Sequence, residues 1–278
     1  MSFSLPTDAS AEGWRIDHIL HVTHWAVVML AIVTLVWLGI SLVRDRKHRQ
    51  AVFTHGTSRR EKAVPLALAA FVFFCVDGYL LLRSHSDLNA SILRANDMLK
   101  KDGTIRVQIG ARQWAWDIRY PGADDRFDTA DDFYTVSELV VPIGRPVVFE
   151  LGSGDVIHGF YLPNFRIKQD AIPGRVLRGW FQPKKLGSYD IACAQHCGVH
   201  HYQMGGTVRV VSDAEYRAWS AAMSLDGARL HAEDARAQVE EAGYQLVVEG
   251  NWPEAAPSRA WAWPWGRSVQ IKESERTP

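Results

Sequence analysis

Cys193-Ala-Gln-His-Cys197-Gly-Val-His-His201-Tyr-Gln-Met204 places two thiols, an imidazole and a thioether on one short segment, and Asp155-Val-Ile-His158 lies upstream behind an apolar run. Thiolates and thioethers are soft ligands suited to copper. A single-copper blue site needs one Cys, two His and a weak Met. The second cysteine therefore lets both sulfurs bridge two metals, each completed by one His and one weak axial ligand. One electron shared over two coppers spreads the charge change and lessens the readjustment on reduction, which suits electron passage rather than substrate binding. Two other readings stay open. A zinc site from Cys193, Cys197, His201 and His158 leaves Met204 unexplained. A disulfide between Cys193 and Cys197 explains neither histidine.

Around this segment, residues 103–212 alternate short apolar runs (TIRVQI, ELVVPI, PVVFEL, GWFQP, GSYDIAC, GTVRVV) with Gly and Pro punctuation. The pattern predicts an all-β Greek-key sandwich or barrel. A cupredoxin fold of that kind holds a strand histidine against a Cys/His/Met loop between its last two strands. Residues 213–278 form a C-terminal extension, expected to be partly helical because its first part is rich in Ala, Glu, Arg and Leu. No internal repeat and no CxxCH haem-attachment motif occur.

The apolar residues concentrate upstream. No Asp, Glu, Lys or Arg separates Asp17 from Arg44, a run long enough to cross a bilayer, which takes roughly 20 residues. Asp8, Glu12 and Asp17 and the length of the run argue against a cleaved signal peptide. A second run follows, with Pro65 in its first turn and one acid, Asp77. The expected order is an external segment 1–17, transmembrane helices 18–43 and 63–83 flanking a cytoplasmic loop 44–62, a linker 84–102, and then the external domain. Arg44, Arg46, Lys47, Arg49, Arg59, Arg60 and Lys62 put that loop on the cytoplasmic side and both chain ends outside. The 278 residues carry 31 basic and 31 acidic side chains, which gives no reason to expect a nucleic-acid partner. Three cysteines are too few for a disulfide scaffold.

C-x-x-x-C-G-x-x-H-x-x-M, with Asp155-Val-Ile-His158, Gln113-Trp114-Ala115-Trp116 and Asp170-Ala-Ile-Pro-Gly-Arg175, resembles subunit II of cytochrome c oxidase over residues from 18 to 223. The resemblance implies a two-span hairpin carrying a cupredoxin domain. It also implies a dicopper CuA centre held by His158, Cys193, Cys197, His201, Met204 and the backbone carbonyl of Gln195. Electrons would arrive from cytochrome c at Trp114 and pass to haem in subunit I, where oxygen is reduced to water. The implied partners are subunit I, further oxidase subunits, cytochrome c and membrane lipid. The implied location is the bacterial inner (plasma) membrane with both termini on the periplasmic side, the mitochondrial inner membrane being the alternative. The family usually has Glu at the position of Gln195, and that carboxylate helps hold magnesium at the subunit I interface, so magnesium is a separate question for this chain. The alternatives are a CuA-bearing nitric oxide reductase subunit and a membrane-anchored copper-delivery protein, the latter opposed by the full ligand set and Trp114. Quinol oxidase subunits share the fold but lack the copper ligands.

The remaining notable residues carry plainer expectations. His196 and His200 are expected to flank the ligands without binding metal, and Trp116 to be a core aromatic. Asp124, Asp125, Asp128, Asp131 and Asp132 form a local acidic stretch around Arg126, readable as a docking patch, a calcium site or a solvated turn. Asp170 and Arg175 resemble the family segment that faces subunit I. Glu61 resembles the family's glutamate at the mouth of a proton channel, or is a helix N-terminal acid. Asp77 marks either a protein-facing site or the outer interface. His18, His21 and His24 share a helix face and read as interfacial. Cys75 reads as an inert residue within the second span.

Overall fold

The computed structural model describes residues 5–46, 55–56 and 58–226, in two compact units, one formed by Trp14–Ile92 and the other by Met1–Gly13 with Leu93–Pro278.

The smaller unit is helical. α1 (Gly13–Asp45) covers the first apolar run. α2 (Arg59–Phe71) starts at a capping box, in which Ser58 Oγ accepts the Glu61 amide hydrogen at 3.2 Å and the Glu61 carboxylate accepts that of Ser58 at 3.0 Å. That bond accounts locally for an acid at this helix start. A π-helical turn, Val72–Asp77, joins α2 to α3 (Gly78–Ala90). The stretches Gly13–Arg44 and Glu61–Asn89 are long and apolar enough to cross a membrane, and their Leu35, Leu42, Leu66, Phe74 and Leu82 are exposed.

The second helix runs past residue 83, where the sequence predicts a linker. Arg83 and Asp87 pair at 3.1 Å across one helical turn and Arg15 reaches the same carboxylate at 3.0 Å, so the charges end the apolar run while supporting the helix. A 3₁₀ turn (Ile92–Arg94) and a short α4 (Ala95–Met98) occupy more of the expected linker. His18 Nε2 lies 3.1 Å from the Tyr79 hydroxyl, and the three histidines of α1 do not converge as a metal-binding group. Asp77 and Cys75 are both exposed on this unit.

The larger unit is a sandwich of two five-stranded sheets. Its strands are β1 (Ile105–Arg112), β2 (Ala115–Tyr120), β3 (Phe133–Val136), β4 (Glu138–Pro142), β5 (Val147–Ser153), β6 (His158–Leu162), β7 (Ile167–Ala171), β8 (Leu177–Phe181), β9 (Gly187–Cys193) and β10 (Gly205–Val211). One sheet runs β3-β2-β1-β5-β8 and the other β4-β10-β9-β6-β7. The β1–β5 and β4–β10 pairs are parallel and the other neighbours antiparallel. Alternate residues point inward, and the two inner faces close on Ile109, Trp116, Ile118, Leu139, Phe149, Leu151, Phe160 and Leu162, all fully buried. The Tyr120 hydroxyl accepts the Val140 amide hydrogen at 2.8 Å, and burial holds its pKa well above the usual phenol value. A helix over 213–226, α5, lays Tyr216, Trp219 and Met223 on this core. The expected extension beyond it, like Lys47 and Arg49, lies outside the described residues.

Candidate metal centre

His158 opens β6, Cys193 ends β9, and the segment between β9 and β10 folds back on itself, so the upstream imidazole and the downstream loop meet at one end of the sandwich. The loop closes because the Cys193 amide donates to the Met204 carbonyl at 3.1 Å. The side chains then converge. The two sulfurs are 3.7 Å apart, far longer than the roughly 2.05 Å of a disulfide, so both thiols are free. Met204 Sδ lies 3.1 Å from His158 Nδ1 and 3.7 Å from Cys197 Sγ. His201 Nδ1 lies 3.5 Å from Cys197 Sγ, and the Gln195 carbonyl oxygen 3.2 Å from Cys193 Sγ. His158, Cys193 and Cys197 alone already place one donor atom each within 4.8 Å of one another. Burial, reinforced by Cys193 alongside, pushes the Cys197 thiol up to about 12. A cation arriving there displaces that proton.

The surroundings fix these donors from behind. Asp155 Oδ1 sits 2.8 Å from His158 Nε2, which turns the opposite ring nitrogen toward the sulfurs. Burial alone would raise the Asp155 pKa, but the bonds from His158 and from the Gln113 and Val156 amides outweigh it and hold the carboxyl below its ordinary value. Gln113 Nε2 and Trp114 Nε1 both donate to the Cys197 carbonyl, at 2.7 and 3.2 Å. Gly198, at φ +119°, lies under them, and a Cβ there would come within 2.8 Å of Gln113 Nε2.

The family model described as "Cytochrome C oxidase subunit II, periplasmic domain" matches residues 105–211. The alternative cytochrome c oxidase subunit 2 of Bradyrhizobium diazoefficiens is 38% identical over 135 residues, 41% of this chain and 49% of that protein. Cytochrome c oxidase subunit 2 of Cereibacter sphaeroides is 30% identical over 148 residues, 42% of this chain and 49% of the relative. A crystal structure of the periplasmic domain of subunit II of the Bradyrhizobium japonicum cytochrome oxidase is 30% identical, covering 44% of this chain and 94% of that one, with a TM-score of 0.40. Residues 105–211 match the periplasmic domain of the cytochrome c oxidase subunit II family. The chain spans about half the length of the Bradyrhizobium and Cereibacter subunits that it matches. Two long apolar helices and bacterial subunit II relatives make it a membrane protein.

Trp114 is partly exposed, with the ring of His200 edge-on at 4.6 Å, and Trp116 is fully buried against Phe160. His196 and His200 are exposed, and the His196 ring stands 5.5 Å from that of His201. Asp170 accepts from Gln195 Nε2 at 3.0 Å, while Arg175 is exposed in the following turn. In the acidic stretch, Arg119 pairs with Asp128 at 2.9 Å and with Asp132 at 2.5 Å. Asp131 accepts from the Ala123 amide and the Thr129 hydroxyl, and these bonds outweigh its slight burial and lower its pKa. Sequence reasoning does not mark Asp155, Gln113 and Gly198 as supports. Asp155 and Gln113 stand inside motifs that it does read; Gln113 reaches Asp155 and Cys197 across 42 and 84 residues, which no local pattern encodes, whereas Asp155 meets His158 only three residues away.

Proposed function

We propose that this chain is the electron-accepting subunit of a cytochrome c oxidase. It takes electrons from cytochrome c and passes them to haem in subunit I, where oxygen is reduced to water. The observation that carries this reading is the convergence of six donor groups from β6, β9 and one loop. They comprise two thiols, two imidazoles, a thioether and a carbonyl, with an S–S separation of 3.7 Å. Such a set fits two copper ions, which would supply one-electron uptake and release. On this reading the thiolates of Cys193 and Cys197, with His158, Met204, His201 and the Gln195 carbonyl, would hold the ions. Zinc fits the set less well, because a Cys₂His₂ tetrahedron has no use for Met204 beside His158.

Trp114 receives the electron. Its partly exposed ring and its indole N–H on the Cys197 carbonyl link the surface to a bridging residue. The basic connector, including Arg44, Arg46, Arg59 and Lys62, faces the cytoplasm, so spans 18–43 and 63–83 hold the domain at 103–212 outside. Toward magnesium, Gln195 offers only a neutral amide oxygen where the family usually has a carboxylate, its amide nitrogen being given to Asp170. Copper loading of the purified full chain tests the proposal. The expected result is two coppers per chain and a purple mixed-valence species with a seven-line hyperfine pattern. One copper per chain, or zinc alone, would overturn it.

A further inference from the structure

We infer that Asp170 on β7 is a positioning residue for the metal centre, holding the Gln195 carbonyl in place through the Gln195 side chain. The inference rests on the dicopper reading proposed above. Gly159 on β6 pairs in register with Asp170 on β7, so whatever lies flat on Gly159 comes within reach of the Asp170 side chain. The ligand loop lies there. The Ala194 amide donates to the Gly159 carbonyl at 2.8 Å, and a Cβ on Gly159 would stand 2.9 Å from Ala194 C and 3.0 Å from Gln195 N. Only a glycine lets the loop backbone approach so closely. One residue on, Gln195 turns its amide outward to Asp170 Oδ2 at 3.0 Å, while its carbonyl oxygen faces Cys193 Sγ at 3.2 Å.

The Gln195 peptide is thus pinned before and beside itself, and the Cys197 carbonyl is pinned after it by Gln113 and Trp114. A neutral carbonyl would bind a metal only weakly, so its place in the site would be set by what holds the peptide. The half-buried Asp170 is the one anionic group in that hold, and a carboxylate acceptor makes a stronger hydrogen bond than a neutral one. Without it the Gln195 side chain returns to solvent and the peptide plane is free to rotate.

Copper titration and electron paramagnetic resonance of the purified full-length chain test this. Asp170→Ala should bind copper about tenfold more weakly than wild type, with altered hyperfine splitting in the loaded fraction, the size typical when a residue behind a ligand is removed. Asp170→Asn keeps an acceptor oxygen without the charge and should recover both readouts in part, falling between Asp170→Ala and wild type. Gln195→Met removes the donor and should match Asp170→Ala, and combining the two should add nothing further. Unchanged affinity and hyperfine splitting in both Asp170→Ala and Gln195→Met would overturn the inference, as would additive losses or an Asp170→Asn variant no better than Asp170→Ala. If Asp170→Ala does not fold, the Gln195→Met and Asp170→Asn comparison decides by the same readouts. A wild-type chain that takes up no copper overturns the dicopper reading instead. Amide hydrogen exchange at residues 194–198 of the metal-free chain then still judges the tether, which predicts faster exchange in Gln195→Met than in wild type.

Discussion

Two loops of the sandwich carry side chains able to bind a cation, and they dispose of them in opposite ways. In the segment from Cys193 to Met204 the backbone is satisfied by Gly159, Gln113 and Trp114, which leaves the sulfurs and ring nitrogens to face one another. In the stretch from Ala123 to Asp132 the carboxylates themselves satisfy the backbone and Arg119. Asp124 accepts from the Arg126 amide, Asp131 from Ala123, and Asp132 from both Asp128 and Arg119. Acid density alone therefore makes no site. What matters is whether donors are left converging once the loop has met its own needs.

Cys197→Ser should separate the two loops most strongly. Loss of one bridge should abolish the two-copper spectrum and drop the copper content below that of wild type, whereas Asp128→Asn should leave both unchanged. Equal copper loss in the two variants, measured by metal analysis, would erase the distinction between the loops.

Arg119→Ala addresses the other side. Asp132 is 1% exposed, and removing the partner of a buried charge costs about 3–5 kcal/mol, so the unfolding midpoint should fall well below that of wild type. Copper stoichiometry should hold as long as the protein stays folded.

Trp114→Ala should slow electron uptake from cytochrome c by about tenfold or more, equivalent to about 1.4 kcal/mol of barrier, with the copper spectrum intact. Stopped-flow kinetics that match wild type would place the arrival point elsewhere. Met204→Leu should act more gently still. The substitution conserves volume, so the chain should retain both coppers and show a shifted reduction potential, since a weak axial ligand tunes more than it anchors.

The smallest effects belong to the acidic stretch. Neutralising the exposed Asp124 and Asp125 should lower the association rate with cytochrome c about two- to threefold at low salt and leave it unchanged at high salt, where charges beyond about 8–10 Å are screened. Calcium should not move the unfolding midpoint. Asp131 has a lowered folded pKa, so its contribution to stability is present above the unfolded value of about 3.9 and fades as pH falls through the folded one. The stability difference between wild type and Asp131→Asn should close in acid.

Much of the molecule is legible in the sequence because it is written in short-range patterns. The two apolar runs, the alternating strands and the spacing from Cys193 to Met204 each declare themselves within a few tens of residues. The end of the second helix does not, because Arg83 and Asp87 look like the start of a polar linker until their mutual pairing within the helix is seen. The acidic stretch reads as an open negative patch because Arg119, which neutralises part of it, comes from β2. Asp170 stands inside a legible motif, but its bond to Gln195 is made 25 residues further on in the chain. Asp155 is only three residues from His158, yet the contact between them shows only once the turn before β6 is folded.

The donors of the metal centre are graded in depth. His158, Met204 and Cys197 are 0%, 2% and 3% exposed, whereas Cys193, Gln195 and His201 are partly open to solvent. This grading gives the site an open side and a closed side. If the centre takes metal as proposed, an incoming ion would meet the partly open donors first and the buried thioether and imidazole last.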